Sequence, residues 1–326
     1  MLKTARVSLL PALLSLALGA AGSSATSAAV AATANATGLG GPHASTRIPQ
    51  VEKAGSKGFV YACAPTPNTC NVYETTGALI RTLTISNGLS EPAGTMATPM
   101  GLWYIANAGA SNILVYSKGG ATLIDTLSDP GEIPGDVAIF KKTVAASNEY
   151  STGSAAGSVS VYKKGATSPS YMLTASGAVQ GIGVAFDAKG NCFWSYNTSA
   201  SSAGRIVEFA GCKAHASPID IGVSLTQAGG MAFDSADNLW FTDPGAGLYQ
   251  CTGISSCTLV ASGFGFPLGI NFNKASTTLY LADVDFGVYE ITGIDDLRHL
   301  RIQPDYIVTP FATYPGAYGA AAGPGL

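Results

Sequence analysis

The pattern of apolar and polar positions is clearest in GGMAFDSADNLWFTDP, residues 229–244. A short apolar run over 230–233 meets a polar Asp-Ser-Ala-Asp-Asn turn. A second run over 239–242 follows, closed by Asp243 and Pro244. Two short runs of period near two around an Asx-rich turn predict an antiparallel hairpin. The same arrangement recurs along the chain. One copy is AGTMATPMGLWYIAN (93–107), followed by SNILVY (111–116) and TLIDTL (122–127). Another is PGDVAIFKKTVAASN (134–148), followed by GSVSVY (157–162) and SYMLT (170–174). A third is IGVAFDAKGNCFWSYN (182–197) with GRIVEF (204–209). The opening stretch continues into GLYQC (247–251) and CTLVAS (257–262), and LGINFNKASTTLYLAD (268–283) continues into GVYEI (287–291).

In each copy a glycine stands in the first strand: Gly94, Gly135, Gly183, Gly230 and Gly269. They recur about every 40 to 50 residues, the period of a four-stranded propeller blade. Two incomplete ends remain. Residues 58–84 carry the later strands of a unit with no first strand before them. Residues 315–326 read as a first strand with nothing after it. Joined, they make a sixth blade, and such closure removes two unpaired sheet edges. The expectation is an all-β, six-bladed β-propeller of four-stranded antiparallel blades, closed by the C-terminal strand joining the N-terminal blade.

Composition fits this picture. The chain has 326 residues with 47% hydrophobic content, 11% charged residues and 40 Gly, which suits a large β-rich core. Net charge is −3, and the only basic doublets are Lys141-Lys142 and Lys163-Lys164, so a nucleic-acid surface is not expected. The N-terminus reads as an export signal. Lys3 and Arg6 precede a short apolar run over 7–20, and small residues follow with Ala-x-Ala-like sites near Ala28 or Ala31. The run is too short for a membrane anchor. The first cysteine, Cys63, lies too far on for a lipoprotein. Residues 1–28 are thus expected to be a signal peptide, 29–56 a flexible Ala/Thr/Gly/Ser-rich leader, and 57–326 the propeller. The product would be secreted or periplasmic, monomeric and without a membrane span.

At the level of the blade the chain resembles NHL-repeat propellers and the gluconolactonase-like, senescence-marker-type six-bladed propellers. The sharper fragments are LWFTDP (239–244) and, one blade later, TLYLAD (278–283). This resemblance implies a divalent metal, usually calcium, held by an acid of the first blade and by Asn or Asp just before the inner-strand glycines. Here those positions are Ala93, Pro134, Ile182, Gly229, Leu268 and Tyr318, none with a side-chain carboxylate or amide oxygen. No cofactor is therefore expected, and calcium enters only if a rearranged site exists.

Six cysteines in an exported chain are expected to pair. The blade layout selects Cys63–Cys70, Cys192–Cys212 and Cys251–Cys257, each within one blade. Candidate chemistry is sparse. Asp136 directly follows an inner-strand glycine, and Asp243 and Asp283 close strands; these three are the catalytic candidates. Asp283 with Asp285 is a two-carboxylate metal candidate. Asn107, Asn148 and Asn197 recur at places equivalent to Asp243 and Asp283, which points to Asx turns capping strands. His43, His215 and His299 lie in the leader, in a loop and near the C-terminal linker, and no G-x-S-x-G elbow is present in the mature chain. The tryptophans and their neighbours (Trp103, Trp194, Trp240) predict packing between blades. Asp136, Tyr150, Tyr196, Phe286 and Tyr318 are the candidates for ligand contact. The favoured reading is an exported, non-catalytic module that binds a protein, a small molecule or a carbohydrate. The alternative is a metal-dependent lactonase or related hydrolase with a rearranged metal site.

Overall fold

The computed structural model describes residues 58–154, 156–199, 202–292 and 307–323. The expected signal peptide and leader, His43 and His299 lie outside the described residues. Among the described residues there are 24 strands in six antiparallel sheets of four. Blade 1 contains β1 (Phe59–Ala64), β2 (Thr69–Glu74) and β3 (Leu79–Leu83). Blade 2 contains β4 (Pro92–Ala97), β5 (Trp103–Asn107), β6 (Asn112–Tyr116) and β7 (Leu123–Ser128). Blade 3 contains β8 (Glu132–Phe140), β9 (Thr143–Ser151), β10 (Ser158–Tyr162) and β11 (Tyr171–Leu173). Blade 4 contains β12 (Gln180–Phe186), β13 (Cys192–Ser199), β14 (Ser202–Phe209) and β15 (Pro218–Leu225). Blade 5 contains β16 (Met231–Phe233), β17 (Leu239–Asp243), β18 (Gly247–Thr252) and β19 (Ser256–Ala261). Blade 6 contains β20 (Pro267–Phe272), β21 (Leu279–Asp283), β22 (Gly287–Thr292) and β23 (Ile307–Thr313).

The last strand, β24 (Gly319–Gly323), pairs antiparallel with β1 and supplies the inner strand of blade 1. The inner strands contact one another in the order β24, β4, β8, β12, β16, β20 and back to β24. The ring is closed by both ends of the chain, as the two incomplete repeat ends predict.

Each second strand is buried on both faces, because it lies between its own sheet neighbours and the adjacent blades. In β17 every residue from Leu239 to Asp243 is buried. Six apolar clusters fill the six spaces between neighbouring blades. Tyr61 stacks on Trp103 at 4.5 Å between blades 1 and 2, and Trp240 meets Phe272 edge-on at 5.6 Å between blades 5 and 6. Buried aromatics of this size supply much of the packing energy. Near the axis the backbones approach too closely for side chains. A Cβ on Gly230 would lie 3.0 Å from Gly269 Cα, so glycine is required there. Hydroxyls tie the ring from blade to blade: Ser195 donates to Gly229 O at 2.6 Å and Thr242 donates to Leu268 O at 2.7 Å.

The outermost strands β15 and β23 complete blades 4 and 6, which the repeat pattern leaves without a fourth strand. β15 is mostly exposed, and its pairing with β14 slips between Arg205 and Val207. Three disulfides, Cys63–Cys70, Cys192–Cys212 and Cys251–Cys257, each close a short stretch within one blade.

Candidate functional site

Antiparallel pairing puts the start of each inner strand beside the end of the second strand, on one face of the ring. The recurring Asx residues sit there. Asp243 accepts from the backbone N–H of Thr226 (2.7 Å), Gln227 (3.1 Å) and Gly245 (3.0 Å). Asp283 accepts from Gly265 (2.8 Å), Phe266 (3.3 Å), Asp285 (2.9 Å) and Phe286 (3.2 Å). Asn107 accepts from Ser90 N at 2.6 Å and Asn197 from Ala228 N at 2.8 Å. In these four blades the side-chain oxygen satisfies backbone donors of a loop leading into an inner strand, the work of an Asx turn.

A different set of groups converges around the axis on the same face. Glu149, next after Asn148 on β9, is buried and occupies space left by Gly135, where a Cβ would lie 2.9 Å from Glu149 Cγ. Its contact from Gln180 Nε2, at the start of β12, is long at 3.5 Å. Burial pushes the Glu149 carboxyl up to about 7; the Gln180 contact opposes this, and the charge of Glu91 at the entry to β4 adds to it. Tyr318, just before β24, has its phenol raised first by burial and then by the charges of Glu149 and Tyr150. Tyr150 is raised by burial and by Glu149. Glu91, Tyr150 and Tyr318 are partly accessible, while Glu149 and Gln180 are buried.

Asp136 lies on the inner strand β8. Its Cα takes the place opposite Gly94, where a Cβ would be 2.6 Å away, and Oδ2 accepts from Val184 N of blade 4 at 3.0 Å. The carboxyl keeps some solvent contact yet is densely surrounded by protein. Burial raises it to about 7, against the pull of the Val184 and Val137 N–H groups. Burial thus favours the protonated form of both carboxyls well above the pH at which an exposed acid ionises.

The other sequence candidates lie elsewhere. Tyr196 is inside the blade, its ring 4.8 Å from that of Trp194, because β13 runs on to Ser199. Phe286 is exposed, and His215 lies exposed in a left-handed turn. Asp285 is raised by burial and then by Asp283. The residues present do not fit the axial calcium shell that the resemblance implies. Among its named positions only Tyr318 offers any side-chain oxygen, and Asp243 and Asp283 already accept three and four backbone N–H groups. Among the described residues no three His, Cys, Asp or Glu side chains are grouped to hold a metal. Sequence reasoning missed Glu149, Gln180 and Glu91. Glu149 follows a repeated structural Asn, and its one signal was being an acid in a buried strand.

This ring of sheets defines a six-bladed β-propeller. No family model matches the sequence, and no curated protein matches it. Solved structures do share the fold. A chain of a nidogen/laminin complex has a TM-score of 0.60 at 13% identity, over 81% of this chain and 98% of that one. A protein of unknown function from Bacteroides caccae has a TM-score of 0.56 at 11% identity, over 82% and 99%. A second, from Bacteroides thetaiotaomicron, has 0.53 at 15%, over 71% of this chain; this chain spans 64% of that protein. At such identities the likeness establishes the fold alone.

Proposed function

We propose that the protein is an exported binding propeller whose ligand face is the axial mouth formed by blades 1 to 4. The observation that carries this reading is the convergence of two partly accessible tyrosines, Tyr150 and Tyr318, with Glu149 and Gln180. These residues come from three blades far apart in sequence. Aromatic faces with a few polar groups behind them suit a small molecule, a sugar or a side chain of a protein partner. Three disulfides support maturation in an oxidising compartment, and no helix among the described residues is long and apolar enough to cross a membrane. The LWFTDP and TLYLAD fragments support descent from an NHL or gluconolactonase-like propeller.

One observation favours a second reading, hydrolysis of a lactone. A carboxyl raised to about 7, as Asp136 is, has the poise of a general base. The test screens the labelled mature protein against oligosaccharide and peptide arrays and a lactone panel. Binding that is lost in Tyr150→Ala/Tyr318→Ala, with melting unchanged, supports the module. Lactone turnover that disappears in Asp136→Asn supports the enzyme and overturns the module.

A further inference from the structure

The chain turns at two faces of the ring. Connections from an inner strand to the second, or from the third to the outermost, lie on the face opposite the axial mouth. Every lysine among the described residues falls in a connection of that opposite face. Lys118 joins β6 to β7, Lys141 and Lys142 join β8 to β9, and Lys163 and Lys164 join β10 to β11. Lys189 joins β12 to β13, Lys213 joins β14 to β15, and Lys274 joins β20 to β21. All but Lys118 are exposed, and all but Lys274 belong to the consecutive blades 2, 3 and 4. The described loops of the mouth face hold no lysine or arginine, and their charges are acids such as Glu91, Asp129 and Asp285. A chain of net charge −3 thus has one basic face.

Few acids offset these lysines. The described opposite-face turns of blades 2 and 3 contain none. In blades 4 and 5, Asp187 and Asp234 are buried and accept backbone N–H groups of their own turns. Asp237 accepts Ala188 N at 2.8 Å. The nearest acids of blades 2 and 4 on strands, Asp125, Glu208 and Asp220, stand on the third and outermost strands.

Large apolar side chains are exposed at the same rim. Met100, in the β4–β5 turn, is 82% exposed. Leu79 and Ile80 of β3, Leu123 and Ile124 of β7 and Ile219 of β15 are 45–57% exposed. Each stands where an outermost strand begins, at the basic face. Of the exposed large apolar residues described, only Ile85 and Phe286 lie in loops of the mouth face. Single exposed apolar residues are ordinary; their collection beside every described lysine is not.

We propose that this face docks on an anionic phospholipid bilayer, with the axial mouth turned away from the lipid. Lysine ammonium groups are attracted to lipid phosphates, and Met100 with the rim leucines and isoleucines enters the headgroup boundary. Nucleic acid fits this face less well. Its recognition draws on arginine and on stacking aromatics, and the described turns here hold neither. Exposed aliphatic side chains would gain nothing against a phosphate backbone. In sequence the lysines are scattered between 118 and 274, and the alternation of turns around the ring gathers them. The docking is independent of what the mouth binds.

The test sediments the mature, disulfide-bonded chain with vesicles of phosphatidylcholine alone or mixed equally with phosphatidylglycerol. Binding to the mixed vesicles should be at least about tenfold tighter and should weaken as salt rises. Lys141→Glu/Lys142→Glu/Lys163→Glu/Lys164→Glu should lose about tenfold or more in affinity for them. Met100→Ser/Ile124→Ser should weaken binding while keeping its salt dependence, and Ile85→Ser, on the mouth face, should leave it unchanged. All these side chains are exposed, so melting of each variant should match wild type. Absent binding, or equal binding to both vesicles, would overturn the proposal. So would a loss in Ile85→Ser as large as in the lysine variant. Tighter binding to a DNA duplex than to the mixed vesicles, lost in the lysine variant, would assign the face to nucleic acid and overturn it too.

Discussion

Blades 3 and 6 use one repeat position for opposite ends. In blade 6, Asp283 closes β21 and accepts four backbone N–H groups from the loops around it. In blade 3, Asn148 closes the same turn. The loop beside it presents Asp129 and Glu132, and an Asn148 oxygen is left without a donor. One residue further on, Glu149 is buried at the axis. The turn residue is therefore structural where the incoming loop offers donors. Where the loop offers carboxylates, the amide turns its NH2 to the serines that bind them, and its oxygen is left without a donor.

The largest effect expected from this contrast is on the satisfied side. Asp283→Ala orphans four N–H groups and should cost about 3–5 kcal/mol, read as a fall in Tm of about 10 °C. Asn148→Ala should cost about 1–2 kcal/mol, because only its amide N–H groups have partners to lose. If Asn148→Ala proved the more damaging, the contrast would be reversed.

Next in size is pH dependence. Asp136 and Glu149 have ordinary values of 3.8 and 4.5 and sit near 7 in the folded chain. Between those limits the folded state holds protons that the unfolded state has released. Stability must then fall as pH rises from about 4 to 7. Each group should cost about 2 kcal/mol between pH 5 and 8, with solvent contact at Asp136 discounting its share. Melting curves of Asp136→Asn and Glu149→Gln should each be flatter with pH than wild type. A wild type more stable at pH 8 would contradict the arrangement.

The smallest effect concerns what all blades share. Gly230→Ala would drive a Cβ against the inner strand of blade 6, and Gly94→Ala against Asp136. Each should lose about 1–2 kcal/mol by chemical denaturation. Comparable losses would show that the ring is tight throughout, so that blade 3 differs in polar groups and not in packing.

The ring was legible because its constraints repeat: glycines where backbones meet at the axis, aromatic second strands buried on both faces, and two incomplete ends that complete each other. β15 and β23 were not: the pairing of β15 with β14 slips between Arg205 and Val207, and β23 begins at Ile307, far along the chain from the end of β22 at Thr292. Of the candidate mouth, Tyr150 and Tyr318 are singled out in the sequence by lying near loops. That the Glu149 charge reaches both depends on which blades face one another across the ring, which the spacing of one strand does not encode. Tyr196 shows the reverse: a residue at the apparent edge of its strand is drawn inside because the strand continues.

The most direct test is a carboxyl ¹³C NMR titration of the domain, with resonances assigned through Asp136→Asn and Glu149→Gln. The account predicts that both carboxyls titrate near pH 7. Midpoints near 4 for both, the ordinary range for exposed acids, would show an open, solvated blade 3 and contradict it.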